Sequence, residues 1–124
     1  MRRAILVVDD EEPILFAMKE YFEAQGYDVE TANCLADAEA LTGSKTFAVV
    51  IADLRLSPSG GREGLLLAEG VKKQRPETRV LLLTAYRSPE TETEALRLGV
   101  EAVLDKPKPL AQIARIVASL LPAQ

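Results

Sequence analysis

Four short apolar runs most narrow the folds open to this chain: AILVV (4–8), FAVVIA (47–52), RVLLL (79–83) and EAVL (101–104). Each is far too short for a membrane span, and each is nearly free of polar residues, as a strand covered on both faces must be. A fifth segment, YDVETA (27–32), alternates apolar and polar residues and reads as a strand nearer a sheet edge. Helical periodicities fill the intervals. In PILFAMKEYFEAQG, Ile14, Leu15, Met18 and Phe22 recur at helical spacing, with Pro13 suited to the first turn and Gly26 to the stop. LADAEALTG makes a second helix ending at Gly43, and EGLLLAEGVKKQRP a third stopped by Pro76. SPETETEALRLG opens with Ser88 as N-cap and Pro89 in the first turn, and closes at Gly99. PLAQIARIVASLL sets Leu110, Ile113, Ile116, Val117 and Leu120 on one stripe.

Five strand–helix pairs in succession predict a single α/β domain, a doubly wound (βα)5 unit with a parallel sheet, right-handed crossovers and helices on both faces. A length of 124 residues suits one such domain, and no linker or low-complexity segment divides it. Bulk chemistry removes several functions. A net charge of −4 argues against general affinity for nucleic acid or anionic membrane. No apolar run approaches the roughly 20 residues that cross a bilayer, and the N-terminal ILVV is too short for a secretory signal, so a cytoplasmic location is expected. The lone Cys34 forms no internal disulfide and reads as a small helix-start or core residue. With no histidine in the chain, any chemistry runs on carboxylates, hydroxyls and lysines.

The polar residues that follow the apolar runs define that chemistry. Ligands of open parallel sheets bind beyond the carboxyl ends of the strands, where strand order reverses. There the sequence delivers Asp9 and Asp10 after the first strand, Asp53 after the third, Thr84 after the fourth and Lys106 after the fifth. Singly, each has an ordinary explanation: an aspartate capping a helix, a turn residue, a strand threonine, a solvated lysine. Jointly they form a hard oxygen site suited to Mg²⁺, which relieves the mutual repulsion of Asp9, Asp10, Glu11 and Glu12. A carboxylate beside that ion can act as a nucleophile toward a phosphoryl group, with a lysine charge and a threonine hydroxyl around its oxygens.

With VVDDEEP, IADLRL, LLTAY and VLDKP in this order, the chain resembles the receiver domain of bacterial two-component response regulators over essentially its whole length, residues 1–124. The resemblance implies a five-stranded sheet of order 2-1-3-4-5, the flavodoxin-like (CheY-like) arrangement. By the same resemblance Asp53 is the phosphoacceptor, and Asp9, Asp10 and Asp53 hold Mg²⁺ with the backbone carbonyl of Arg55. Thr84 and Lys106 grip the phosphoryl group, and the Lys106–Pro107 peptide is cis. The implied partners are a histidine kinase or His-containing phosphotransfer protein and an unidentified downstream protein, reached through the fourth helix, fifth strand and fifth helix. The chain is then a phosphorylatable switch that catalyses only its own phosphorylation and dephosphorylation. It is expected to be a monomer or weak dimer, with no nucleic acid or membrane bound directly.

Two departures from the family pattern stand out. An aromatic residue is usual three positions before the lysine, where this chain has Val103, so no swinging ring is available and Thr84 is left as the movable group. Pro58 and Gly64 lie five and eleven residues past Asp53, which implies about three inserted residues in SPSGGREG (57–64). That loop lacks the Gly-Lys-Ser/Thr of a phosphate loop and is expected to be poorly ordered without Mg²⁺ or phosphate. Arg55 and Tyr86, each two residues past a site residue, are placed to obstruct the hydrolytic water and give a long-lived phosphoryl state. Glu90, Glu92 and Glu94 read as a solvated helix face, with partner docking as the alternative, and Tyr21 and Tyr27 as packing residues. Three other functions compete. A haloacid-dehalogenase-like Mg²⁺ phosphatase needs Asp-x-Asp after the first strand and a cap domain, neither of which is here. An interaction module without phosphorylation does not need the full polar set. A receiver belonging to a larger DNA-binding regulator or hybrid kinase has the same sequence; here the chain is expected to be complete in itself, or at least to fold alone.

Overall fold

The structure, a computed structural model, describes residues 2–57 and 61–122. Ten elements alternate as expected: β1 (Ala4–Val8), α1 (Glu12–Ala24), β2 (Asp28–Ala32), α2 (Leu35–Ser44), β3 (Val49–Asp53), α3 (Glu63–Gln74), β4 (Arg79–Thr84), α4 (Pro89–Arg97), β5 (Ala102–Asp105) and α5 (Leu110–Leu120). All pairings are parallel and the strand order is β2-β1-β3-β4-β5. The chain leaves β1 for β2 on one side and returns to build β3, β4 and β5 on the other. The order therefore reverses between β1 and β3, where an open sheet offers a crevice.

Alternation along each strand divides the core. Ile5, Val7, Val49, Ile51, Leu81 and Leu83 face α1 and α5, meeting Leu15, Met18, Phe22, Ile113 and Val117. Leu6, Val8, Val50, Ala52, Val80 and Leu82 face the opposite layer and meet Leu65, Leu67, Ala68 and Val71 of α3 and Ala95 of α4. Each large side chain so buried contributes about 1.5–3 kcal/mol, which is why the central strands carry uninterrupted apolar runs. β2 lies at one edge, as its alternating pattern predicts, and β5 at the other. The apolar residues of β5 are only partly buried. Phe22 anchors the α1 end, with Tyr21 and Tyr27 edge-on to its ring.

The local punctuation follows the residues that the sequence supplies. Ser88 caps α4 by accepting a hydrogen bond from the Thr91 amide, and Cys34 occupies the N-cap position of α2. Gly26 and Gly99 take positive φ just beyond α1 and α4, a conformation that costs other residues more. Gly43, expected to stop α2, lies within it; the helix runs one residue further and its last turn is closed by the Lys45 amide on Leu41. The Lys106–Pro107 peptide is cis. The loop expected to be poorly ordered includes residues 58–60, which lie outside the described residues.

Where that loop returns, Gly64 presses against the end of β3. Its amide donates to the Leu54 carbonyl at 2.9 Å, and a Cβ there would stand 2.7 Å from Leu54 Cα and 2.8 Å from the Asp53 carbonyl oxygen. Both obstacles are backbone, so an added methyl group must displace the strand end. Gly64→Ala is expected to lower stability by about 1–3 kcal/mol in urea unfolding. Unchanged stability would show that β3 and α3 are not in such close contact.

Candidate functional site

The parallel register brings the strand-end residues to one edge of the sheet. Val8 pairs with Ala52, so Asp9 and Asp53 follow side by side. Thr84 pairs with Asp105, and the Lys106 amide extends that ladder to the Thr84 carbonyl at 2.9 Å. Asp9, Asp53 and Thr84 are buried, whereas Asp10 is exposed. A cleft of about 570 Å³ opens over them, lined among others by Asp10, Asp53, Arg55, Thr84, Tyr86 and Lys106.

Lys106 joins two of them, Asp9 and Asp53. Its Nζ lies 2.7 Å from Asp9 Oδ2 and 2.8 Å from Asp53 Oδ2, with Glu11 Oε2 at 3.5 Å. Burial acts to lower the lysine pKa, but hydrogen bonds and charges from Asp53 and Asp9 outweigh it and raise the pKa above the ordinary value. Asp9 shows the opposite balance: burial pushes its carboxyl up, and the bonds from Lys106 and the Glu11 amide offset this only in part. The Asp9 side chain also accepts the Glu11 amide at 2.9 Å. That bond turns the chain out of β1; it is not a helix cap, since Glu11 holds the N-cap position of α1 and makes no side-chain capping bond.

Asp9, Asp10 and Asp53 each present a ligand oxygen within 4.8 Å of the others, a cluster suited to a divalent cation. Three carboxylates against one ammonium leave two formal negative charges, which a divalent cation matches. Arg55 donates its amide to Asp53 Oδ1 at 3.3 Å, which curls the backbone after β3 over the site. Thr84 lines the cleft but its hydroxyl is engaged with its own loop, accepting from the Tyr86 amide at 3.1 Å and donating to the Tyr86 carbonyl at 3.2 Å. Tyr86 itself is 79% exposed. Val103 packs against the α3–α4 side of the core.

Several residues near the site were not singled out by their sequence positions. Glu63, the first residue of α3, reaches back to Leu56 and Ser57. Arg62 pairs with Glu94 of α4. Arg87 pairs with Glu92 and also lies 3.6 Å from Asp105. Two members of the glutamate face read as solvated are thus ion-paired. None of these contacts has a local signal in the sequence.

The family model for the response regulator receiver domain matches residues 5–118. Among relatives, the photosynthetic apparatus regulatory protein RegA of Cereibacter sphaeroides is 32% identical over 105 residues; the match covers 85% of this chain and 55% of RegA. The chain therefore spans about half the length of that relative. A CheY-like receiver domain protein from Methanospirillum hungatei superposes with a TM-score of 0.88 at 30% identity, covering 97% of this chain and 94% of the other. A response regulator from Burkholderia pseudomallei, crystallised with a phosphorylated aspartic acid, calcium ion and citrate, gives 0.83 at 30% identity, covering 93% of this chain and 66% of the other.

Lys106→Met is expected to lose on the order of 3 kcal/mol of stability at about pH 7, because two buried carboxylates lose their counter-charge. Asp9 binds its proton more tightly folded than unfolded, so stability falls as pH rises from the ordinary carboxylate range through its raised value. Removing the ammonium raises that value further, so the deficit against wild type shrinks at about pH 4. Urea unfolding at both pH values measures this; an equal deficit at each contradicts the charge balance.

Proposed function

This chain belongs to the family of response regulator receiver domains, and we propose that it is a phosphorylation switch that catalyses only its own phosphorylation and dephosphorylation. From that premise we propose that Asp53 accepts the phosphoryl group and that Asp9, Asp10, Asp53 and the Arg55 carbonyl hold Mg²⁺. The receiver unit in this proposal is the whole of residues 1–124. The observation that carries it is Lys106 bridging Asp9 and Asp53 at the sheet edge where the strand order reverses. The phosphorylated aspartic acid in the Burkholderia pseudomallei relative supports the same chemistry.

The geometry supports a role for each residue in this proposal. An Asp53 carboxylate oxygen bonds to phosphorus as the donor's bond to phosphorus breaks. When bound, Mg²⁺ offsets negative charge on the carboxylates and on the phosphoryl oxygens. Lys106, already 2.8 Å from Asp53, supplies a positive charge to the incoming group. Thr84 must turn its hydroxyl away from Tyr86 to donate to a phosphoryl oxygen, and that rotation draws on the loop entering α4. The switch thus begins at Thr84 rather than at an aromatic ring, since Val103 has none to swing.

A histidine kinase or His-containing phosphotransfer protein is the proposed donor, and the α4–β5–α5 surface the proposed output. Among the described residues no helix is long and apolar enough to cross a membrane; the proposed setting is the cytoplasm. Arg55 and Tyr86 flank the cleft and are proposed to hinder the water that would hydrolyse the product.

Incubation with Mg²⁺ and a small phosphodonor is expected to add one phosphoryl group by mass, with none on Asp53→Asn. Labelling retained in that variant would move the acceptor elsewhere. The wild-type phosphoryl group is expected to outlast minutes after the donor is removed. Decay within seconds contradicts the obstruction by Arg55 and Tyr86.

A further inference from the structure

We propose that Glu63 is a positioning residue for the divalent-cation site, acting through the peptide that joins Arg55 to Leu56. The inference rests on the proposal that the Arg55 carbonyl is a ligand. That carbonyl and the Leu56 amide belong to one planar trans peptide unit, so fixing the direction of the N–H fixes the direction of the C=O. Glu63 Oε1 accepts the Leu56 amide at 3.3 Å, and Oε2 accepts the Ser57 hydroxyl at 2.5 Å. Both carboxylate oxygens are thus spent on the two residues just past Arg55.

The neighbouring contacts leave this peptide little freedom. Leu54 donates to the Leu83 carbonyl at 2.8 Å, and Arg55 donates to Asp53 Oδ1. Leu54 and Leu56 are buried on either side of Arg55. Gly64 packs directly on the Asp53–Leu54 backbone. The Glu63–Gly64 step therefore grips the strand end at two points, Gly64 by contact and Glu63 by hydrogen bonds. The Ser57 hydroxyl holds the Glu63 carboxyl below the usual range, which keeps it an ionised acceptor at neutral pH. Five residues, 58–62, separate the clasped ends. The Ser57–Glu63 hydrogen bond ties the two described ends of that loop directly to each other.

The test is a Mg²⁺ titration of the full chain followed by amide NMR shifts, on wild type, Glu63→Ala, Glu63→Gln and Asp10→Asn. Glu63→Ala is expected to bind about tenfold more weakly, as for loss of a partner that orients a ligand, with faster hydrogen exchange at the Leu56 amide in the metal-free protein. Glutamine keeps the reach: its carbonyl accepts the Leu56 amide and its NH₂ donates to Ser57. Glu63→Gln is therefore expected within about twofold of wild type. Should Glu63→Ala fail to fold, Glu63→Ser, equally unable to span the gap, takes its place. Wild-type affinity in the shortened variant overturns the proposal, as does an equal loss in Glu63→Gln, which would assign the effect to charge alone. Unchanged binding in Asp10→Asn, or no saturable binding by wild type, instead overturns the cation site itself and the positioning role with it.

Discussion

The bridge that Lys106 makes between Asp9 and Asp53 is the contact on which the rest of this molecule depends. Two buried carboxylates at adjacent strand ends are a costly arrangement, because burial favours the protonated form and each charge repels the other. One ammonium, delivered from a strand two places further along the sheet, makes that arrangement tenable. It leaves a residual charge that a divalent cation and a phosphoryl group complete. No buried side-chain nitrogen or oxygen among the described residues lacks a partner. The polarity of the site is therefore held in a connected network, and a change at one member is felt by the others.

Topology explains why these residues meet. The 2-1-3-4-5 order sets β1 beside β3, and β3 beside β4, so Asp9 and Asp53 fall side by side, with Thr84 one register step beyond Asp53, without long loops. From that edge the connections run outward to α4. Thr84 is hydrogen-bonded to Tyr86, Arg87 ties the same loop to Glu92 and Asp105, and Arg62 ties the start of α3 to Glu94. A rotation of Thr84 alters the first of these links. The exposed ion pairs are individually weak, which suits a helix that has to respond to a small chemical event.

Much of this was legible in the sequence because burial on both faces leaves a strong mark. β1, β3 and β4 announce themselves as apolar runs, and the polar residue that ends each run marks the edge of the sheet. Gly26, Gly99 and Ser88 act as their residue types predict. The position of Gly43 was less informative: a glycine in a helix looks like a stop unless its φ is known, and α2 carries it within the last turn. The side-chain pairings made by the loops around the site were not legible. Nothing local to Glu63 shows that it turns back onto Leu56 and Ser57, and nothing local to Arg62 points to Glu94, since both contacts depend on how loops fold over the sheet. Thr84 illustrates a further limit. Its identity placed it in the site, but only the folded structure shows its hydroxyl spent on Tyr86.

A structure determined with Mg²⁺ and beryllofluoride, a mimic of the phosphoryl group, tests the central claim most directly. The cation should lie among Asp9, Asp10, Asp53 and the Arg55 carbonyl. The mimic should sit on Asp53 within hydrogen-bonding reach of Lys106 Nζ and a reoriented Thr84 hydroxyl. A cation held elsewhere, or an ammonium of Lys106 pointing away from Asp53 and its adduct, would contradict it.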